Sequence, residues 1–499
     1  MKILLVYPKH LSGFLSYKES LRFIGKKAVE PPAGLLTAAS LLPKNWEKKF
    51  IDMNVNTLSD TEILWADYVF VGAPMGDVQK ETTRQLIERC KQLKAKVVGG
   101  GSFFMEEHDW FKDIDHIILN EAEVTLPLFL EDLKKGEAKH IYRSNEKADM
   151  TLSPIPAWDL VNLKDYCSIG VQYSRGCLYN CEFCSVINLD GRSVRSKTSQ
   201  QVLSELEFLI SLGWSGYITI LDDNILGNKK ELKEDLLPLL IEWQKNTGNT
   251  VRFYFQTSMD IVKDQELLDL LNKAGFRETF VGFETTSQES LAACGKTQNL
   301  NTSITDVVKT LYKHGMIVIG GLVIGFDTDT PDVYDNIIEA IQNSGIPRFA
   351  LHVLKPIYGT RLYVRLKKEG RLQLAGSEKG RYEDRIKYEP TMGRAALSEG
   401  FLKIINTLYR TETFYKRVKI FLKLYKPGPA IPVKISAIPR AIAVLIHIIY
   451  TLGIKDAGRR EFWRSLNWCR CNYPKKLPYV IYYASLGYEA RKYYGIPSK

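Results

Sequence analysis

Hydrophobic residues along this chain fall into two series of short apolar runs, separated by longer stretches with a helical period. In the first series the runs at 3–7, 50–53, 68–73, 96–99 and 116–119 have the length of buried strands. Stretches such as 34–42, 82–93 and 123–133 carry the helical period between them. Five buried strands divided by helices predict a parallel, doubly wound sheet over residues 1–140. Residues 141–165, with Pro154 and Pro156, read as a linker. The second series predicts strands at 168–173, 217–221, 251–256, 279–284, 318–324 and 348–353. Helices are predicted near 199–212, 230–245, 265–274, 302–314 and 331–343. Six βα units predict a partial (β/α)6 barrel over 166–372, with its site at the carboxyl ends of the strands. From about 395 the pattern becomes helical and rich in Tyr, Phe, Lys and Arg, so 373–499 reads as a basic, aromatic-rich helical domain. The fold class is α/β with a helical C-terminal region.

Composition changes this picture in two respects. Eight cysteines in 499 residues are too few for a disulfide framework, and Cys90, Cys167 and Cys294 are scattered, which fits a reducing cytoplasm. The opening residues Met1-Lys2-Ile3-Leu4-Leu5-Val6-Tyr7-Pro8 read as a strand ended by proline rather than a signal peptide. The net charge of +11 is uneven. Residues 401–499 hold 19 Lys+Arg and 4 Asp+Glu, a net of +15, which leaves 11 − 15 = −4 for the first 400 residues. A basic tail points to an anionic partner, either nucleic acid or a membrane surface.

The sharpest chemical signal is Cys177-Leu178-Tyr179-Asn180-Cys181-Glu182-Phe183-Cys184, just after the first strand of the second series. Three close thiolates suit an iron–sulfur cluster. A four-iron cubane held by three cysteines keeps one iron open for a substrate or cofactor. A structural zinc knuckle is the bland alternative, but it usually supplies four ligands. Further polar and glycine positions end successive strands: Asp222-Asp223-Asn224, then Gln256 and Ser258, then Gly282-Phe283-Glu284-Thr285, then Gly321-Leu322-Val323-Ile324-Gly325. Singly, each is as readily a cap or an ion pair. Their order after the cysteine array is what gives them weight.

With that array, the second series resembles the radical S-adenosylmethionine (SAM) superfamily. The resemblance implies a [4Fe-4S] cluster on Cys177, Cys181 and Cys184, whose open iron binds the amino and carboxylate groups of SAM. Cleavage of SAM there yields a 5′-deoxyadenosyl radical. It further implies SAM contacts from Phe183, Asp223, Gln256, Ser258, Glu284, Gly321, Ile324 and Gly325. The first series resembles the cobalamin-binding module that precedes many such barrels, through Pro31-Pro32-Ala33-Gly34-Leu35, Asp52-Met53-Asn54 and Gly99-Gly100. Cobalamin is therefore an expected cofactor. The module's D-x-H-x-x-G signature is only half met at Pro8-Lys9-His10-Leu11-Ser12-Gly13. Pro8 cannot orient a histidine ring, so His10 is expected to be a surface or packing residue.

Over its whole length the chain resembles the subgroup that includes the hopanoid C-2 methylase, related to the bacteriochlorophyllide C-methyltransferases. The phrases that carry this include Tyr173-Ser174-Arg175-Gly176-Cys177, Gly325-Phe326-Asp327, Tyr358-Gly359-Thr360-Arg361 and Phe462-Trp463-Arg464-Ser465-Leu466. The chain departs from the methylase at Asn120-Glu121-Ala122-Glu123, where glycine is expected first, and over 373–392. The resemblance implies methylation of an unactivated carbon on a large apolar polycyclic substrate, with an external electron donor. Radical chemistry without methyl transfer, and RNA modification, remain as alternatives. The tail lacks a recognisable RNA-binding motif, and no nucleic acid partner is expected. Residues 438–454 are almost wholly apolar. Lys416, Arg417, Lys419, Lys423, Lys426 and Lys434 precede them, and Lys455, Arg459, Arg460 and Arg464 follow. This reads either as a helix resting on an anionic inner-membrane surface or as a plain core helix with a solvated basic face. No general base or radical-quenching residue stands out.

Overall fold

The computed structural model describes residues 1–10, 17–74, 76–106, 109–248, 251–373, 386–428 and 438–497. Leu11, Ser12, Gly13, Lys434 and residues 374–385 of the divergent stretch lie outside these. The chain divides into two compact units, Met1–Arg175 with Arg195–Thr219, and Gly176–Val194 with Ile220–Lys499.

The first unit holds a six-stranded sheet of β1 (Lys2–Tyr7), β2 (Glu47–Asp52), β3 (Tyr68–Gly72), β4 (Lys96–Gly100), β5 (His116–Ile118) and β6 (Ile141–Tyr142). Its order is β2-β1-β3-β4-β5-β6, all parallel. Alternate residues feed two cores. Leu4, Val6, Val69, Val71 and Val97 enter one, and Ile3, Leu5, Tyr68, Phe70 and Val98 enter the other. Both faces are therefore apolar, as a sheet covered on both sides by helices requires. The sixth strand comes from the stretch that reads as a linker, which also carries short helices at Met150–Leu152, Trp158–Leu160 and Leu163–Asp165. Trp158 is fully buried there and donates from Nε1 to Glu205 Oε1.

The second series follows with β7 (Ser168–Val171), a small antiparallel pair β8 (Ser174–Arg175) and β9 (Arg195–Ser196), and β10 (Gly216–Ile220), which neighbours β7. The division between units falls within β10. In the second unit β11 (Val251–Thr257), β12 (Phe276–Glu284), β13 (Ile317–Ile324) and β14 (Arg348–Val353) run parallel in chain order. Helices Gln265–Lys273, Ile304–Lys313 and Val333–Ser344 link them, the first two capped by the side chains of Asp264 and Ser303. β12 begins three residues before its apolar run. Glu278 breaks that run in the sequence, but inside the fold it pairs with Arg348 on β14 at 3.2 Å.

The C-terminal region is helical, with Arg394–Tyr409, Thr411–Leu424, Ile438–Ile448, Arg459–Asn472 and Leu477–Tyr494. Arg417, expected in the cationic flank, is instead wholly buried. Its Nε donates to Ile346 O at 2.7 Å, and its guanidinium lies over the Phe349 and Phe414 rings. It anchors these helices to the strand series rather than facing solvent. Among the described residues, no helix is long and apolar enough to cross a membrane.

Candidate active site

The cysteine loop is gripped at several points. Gly176 has φ +99°, and a Cβ there would stand 2.5 Å from Ser193 O, so the turn into Cys177 requires glycine. Cys177 N donates to Gly191 O, Glu182 N to Cys294 O, and Leu362 N to Glu182 O. Arg361 donates to Asn180 O, and Arg365 pairs with Glu182 at 2.6 Å and with Asp327 at 2.7 Å. Burial pushes all three thiols upward, Cys184 to about 12, and the charges of Cys177 and Cys181 add to this at Cys184. Gathered thiolates that repel one another are stabilised by bound cations, with release of their protons. All three cysteines are free of disulfides. Among the described residues, no three His, Cys, Asp or Glu side chains converge tightly enough to hold a single ion.

The strand ends meet this loop. Asp223 acts on the charge of Cys177 and Cys184. Glu284 ends β12 at a register shift with φ +66°, a left-handed conformation that a non-glycine residue adopts at a cost of roughly 1–3 kcal/mol. Its carboxylate pairs with Lys296 at 2.7 Å, both side chains largely buried. Burial alone would lower the Lys296 pKa, but Glu284 and the cysteine sulfurs outweigh it and hold the ammonium above its ordinary range. Phe183 meets Phe326 edge to face, ring centres 5.9 Å apart, which joins the cysteine loop to the end of β13. Gln256 lies half-buried on β11, in register with Phe280. Gly282, Gly321 and Ala350 are register partners across three strands and form a layer of small residues. Two residues further along, Val323 and His352 are partners, and His352 is exposed.

Three of the expected contacts direct their polar groups at protein atoms. Ser258 Oγ accepts from Asn224 and donates to Asp260, which also accepts from Tyr179. Ile324 has a fully buried side chain, and its carbonyl accepts from Leu354 N. Gly325, at φ +98°, donates to Asp329 and accepts from Tyr388. In the first unit His10 is a packing residue. Its Nε2 lies 3.0 Å from Tyr7 Oη, its ring meets Tyr7 edge-on, and burial lowers its pKa. Of the Gly99-Gly100-Gly101-Ser102 run, the first two residues end β4 and Gly101, at φ +104°, turns the chain into a short helix from Ser102, which donates to Pro74 O. A surface recess of about 240 Å3 in this unit, lined by Ser153, Lys197, Gln201 and Glu205 among others, contains none of the expected site residues.

Comparison with known proteins agrees with the array. Residues 171–341 match the model of the radical SAM superfamily, and residues 360–497 match a domain of unknown function, DUF4070. The chain is 36% identical over 469 residues to an uncharacterized methyltransferase of Synechocystis sp., spanning 93% of this chain and 86% of the relative. It is 30% identical over 475 residues to the hopanoid C-2 methylase of Rhodopseudomonas palustris, spanning 93% and 88%. The chain belongs to the radical SAM superfamily, in the family of this methylase. Among solved structures, OxsB, a cobalamin-dependent SAM radical enzyme determined with aqua-cobalamin bound, matches with a TM-score of 0.61 at 15% identity, over 98% of this chain and 80% of that one. That likeness shows a shared fold.

Within this radical SAM site the sequence reading misses Lys296, Asn299 and His352. Lys296 follows a turn at Gly295, where a Cβ would stand 2.8 Å from Asn180 O, so its backbone lies against the cysteine loop. Asn299 is buried. It donates to the carbonyls of Gly282 and Phe283 and accepts from Met259 N, which fixes the ends of β11 and β12 together. His352 is lowered by burial and raised by Glu284, with burial prevailing. Only the Lys296 position carried a signal, a lone cation twelve residues after a strand-end carboxylate. The departure at Asn120 also has a cause. Asn120 sits at φ +65°, the conformation glycine would supply, and asparagine tolerates it better than other side chains. The following Glu121 and Glu123 pair with Arg175 at 3.0 and 2.7 Å, and Glu121 pairs with Arg195. Together they clamp the strand pair β8 and β9 from which the cysteine loop departs.

Proposed function

We propose that this protein is a cobalamin-dependent radical SAM C-methyltransferase that methylates an unactivated carbon of a large apolar polycyclic substrate, a hopanoid lipid or a bacteriochlorophyll-type tetrapyrrole. The observation that carries the reading is the convergence of three thiols, Asp223 and the Glu284–Lys296 pair at one end of parallel strands. When bound, the cluster, SAM and cobalamin supply the radical and the methyl group. The chain holds and orients them. Cys177, Cys181 and Cys184 are the cluster ligands in this reading. Phe183, Asp223, Gln256, Ser258, Glu284, Gly321, Ile324 and Gly325 surround SAM, the buried ones by shaping its walls. Lys296 offsets the negative charge of the thiolates and Glu284, and Gly282 makes room for that pair, a Cβ there standing 2.6 Å from Glu284 Oε1 and 3.1 Å from Lys296 Nζ.

The domain assignment belongs to the same reading: 1–140 cobalamin-binding, 166–372 the radical SAM barrel, 373–499 the helical domain. The first unit suits cobalamin at the carboxyl end of β4, where a Cβ on Gly100 would meet nothing nearer than Ile118 O at 3.5 Å, so a large ligand can come close to the backbone. Eight free cysteines suit a reducing cytoplasm, and reduction of the cluster calls for an external electron donor.

The test is an anaerobic reaction of reconstituted protein with hydroxocobalamin, reductant, methyl-deuterated SAM and hopanoid or chlorophyll-pigment extracts. The expected result is a labelled methyl group in an apolar polycycle, detected by mass spectrometry. Cleavage of SAM with no label in any component would overturn methyl transfer.

A further inference from the structure

We infer that the helix Ile438–Ile448, with its continuation to Lys455, docks the protein on an anionic lipid surface. Apolar residues of this segment are turned to solvent. Ile442 is 52% exposed, Ile446 63%, Tyr450 48% and Ile454 58%, and Leu445 and Ala441 are exposed beside them. Ile442, Leu445, Ile446 and Tyr450 share one helical stripe by their spacing. The opposite side holds the segment down. Ile448 and Leu452 are buried, and Trp463 donates from Nε1 to Gly453 O at 2.9 Å across a contact too close for a Cβ at Gly453. A contiguous apolar face of this kind marks a surface that something covers.

Charge identifies the occupant. Residues 438–464 contain five Lys+Arg and two Asp+Glu. Lys455, Arg459, Arg460 and Arg464 are exposed immediately after the apolar stripe, and Lys455 Nζ lies 4.6 Å over the Tyr450 ring. Asp456, one of the two acids, is turned inward to Arg491 at 3.0 Å. Trp463 is exposed within this cationic rim. An apolar stripe edged by cations, with Tyr and Trp at the boundary, matches the layered chemistry of a bilayer surface: acyl chains, then interface, then anionic headgroups. A second copy of this chain would set one cationic rim against another. The helix and its continuation together hold eighteen residues, 11 + 7, roughly 27 Å at a helical rise against a hydrocarbon core of roughly 30 Å, and their opposite side is buried at Ile448 and Leu452, so the segment lies in the interface rather than across it. The inference rests on this surface and not on the substrate reading.

The experiment is co-sedimentation of the full chain with phosphatidylcholine vesicles, with and without phosphatidylglycerol. Variants are the pair Ile442→Glu and Ile446→Glu, the pair Arg459→Glu and Arg460→Glu, and Leu128→Glu, an exposed apolar position on another helix, as control. Far-UV circular dichroism and thermal melts verify folding. The wild type should bind vesicles containing phosphatidylglycerol preferentially, with tryptophan emission shifted to shorter wavelength. The isoleucine pair should lower partitioning at least about tenfold, the arginine pair at least about fivefold, and the control should leave it unchanged. Equal partitioning of all variants, or no wild-type binding to anionic vesicles, would overturn the inference. So would a concentration-dependent dimer abolished by the isoleucine pair, because a second copy would then cover the face. None of these outcomes depends on methyl transfer, which the labelled-SAM reaction tests separately.

Discussion

The strand carboxyl ends of the first sheet and those of the second unit are built on the same parallel βα plan, yet they treat polar groups in opposite ways. At the end of β2, Asp52 is buried and fully engaged: Asn54 donates to Oδ1 from both its backbone and its side chain, and Tyr166 donates to Oδ2. His10 is bound into the same neighbourhood through Tyr7 and Asn54. At the ends of β12 and β14, Glu284 is strained and paired with a single cation, His352 remains open to solvent, and three thiols crowd nearby. Burial penalties at the first end are met by local hydrogen bonds. At the second they are met by opposing charge, an arrangement ready to accept a charged ligand.

Substitutions at the two ends should therefore separate stability from chemistry. The largest effect is expected for Cys181→Ala, which should bring iron content and 5′-deoxyadenosine production to background, with little change in the thermal melt of the protein before cluster loading. Next, Lys296→Met leaves Glu284 buried and unpaired and should cost about 3 kcal/mol in denaturant unfolding as well as most SAM cleavage. Adding Glu284→Gln should restore part of the stability but none of the cleavage. Asp52→Ala strands the donors of Asn54 and Tyr166 and should cost about 2 kcal/mol, while SAM cleavage by the folded protein persists. Loss of cleavage there would break the comparison. Gly325→Ala places a Cβ 2.5 Å from Tyr388 Oη at φ +98° and should cost about 1–2 kcal/mol.

The smallest effect is in pH. Burial holds His10 below the ordinary histidine value, so on acidification the unfolded chain takes up its proton first. Stability is fully present above the ordinary value and falls as pH drops through it toward the lowered folded value. Replacing His10 with glutamine should flatten the pH dependence of the melting temperature across that window.

Much of this plan was legible from hydrophobic period alone, because buried strands must be apolar on both faces and helices on one. β6 was not, since two residues carry no period. The start of β12 was hidden because Glu278 looks like a strand breaker until Arg348 arrives from another strand. The cysteine array announces itself because its three cysteines lie within eight residues of one another. Lys296 and His352 do not, since they reach the site through topology: one after a turn beyond β12, the other at the end of β14. Arg417 shows the converse error, since a cation in a basic tract reads as surface until its guanidinium is seen capping a buried carbonyl beneath aromatic rings.

The most direct test of the central claim is the ratio of the two SAM products in an anaerobic reaction containing hydroxocobalamin, reductant and the hopanoid or pigment extract. If the chain is a cobalamin-dependent methyltransferase, 5′-deoxyadenosine and S-adenosylhomocysteine should rise together in about equal amounts, because each methylation consumes one SAM for the radical and one for the methyl group. If 5′-deoxyadenosine rises alone, the radical site stands and the methyltransferase account is contradicted.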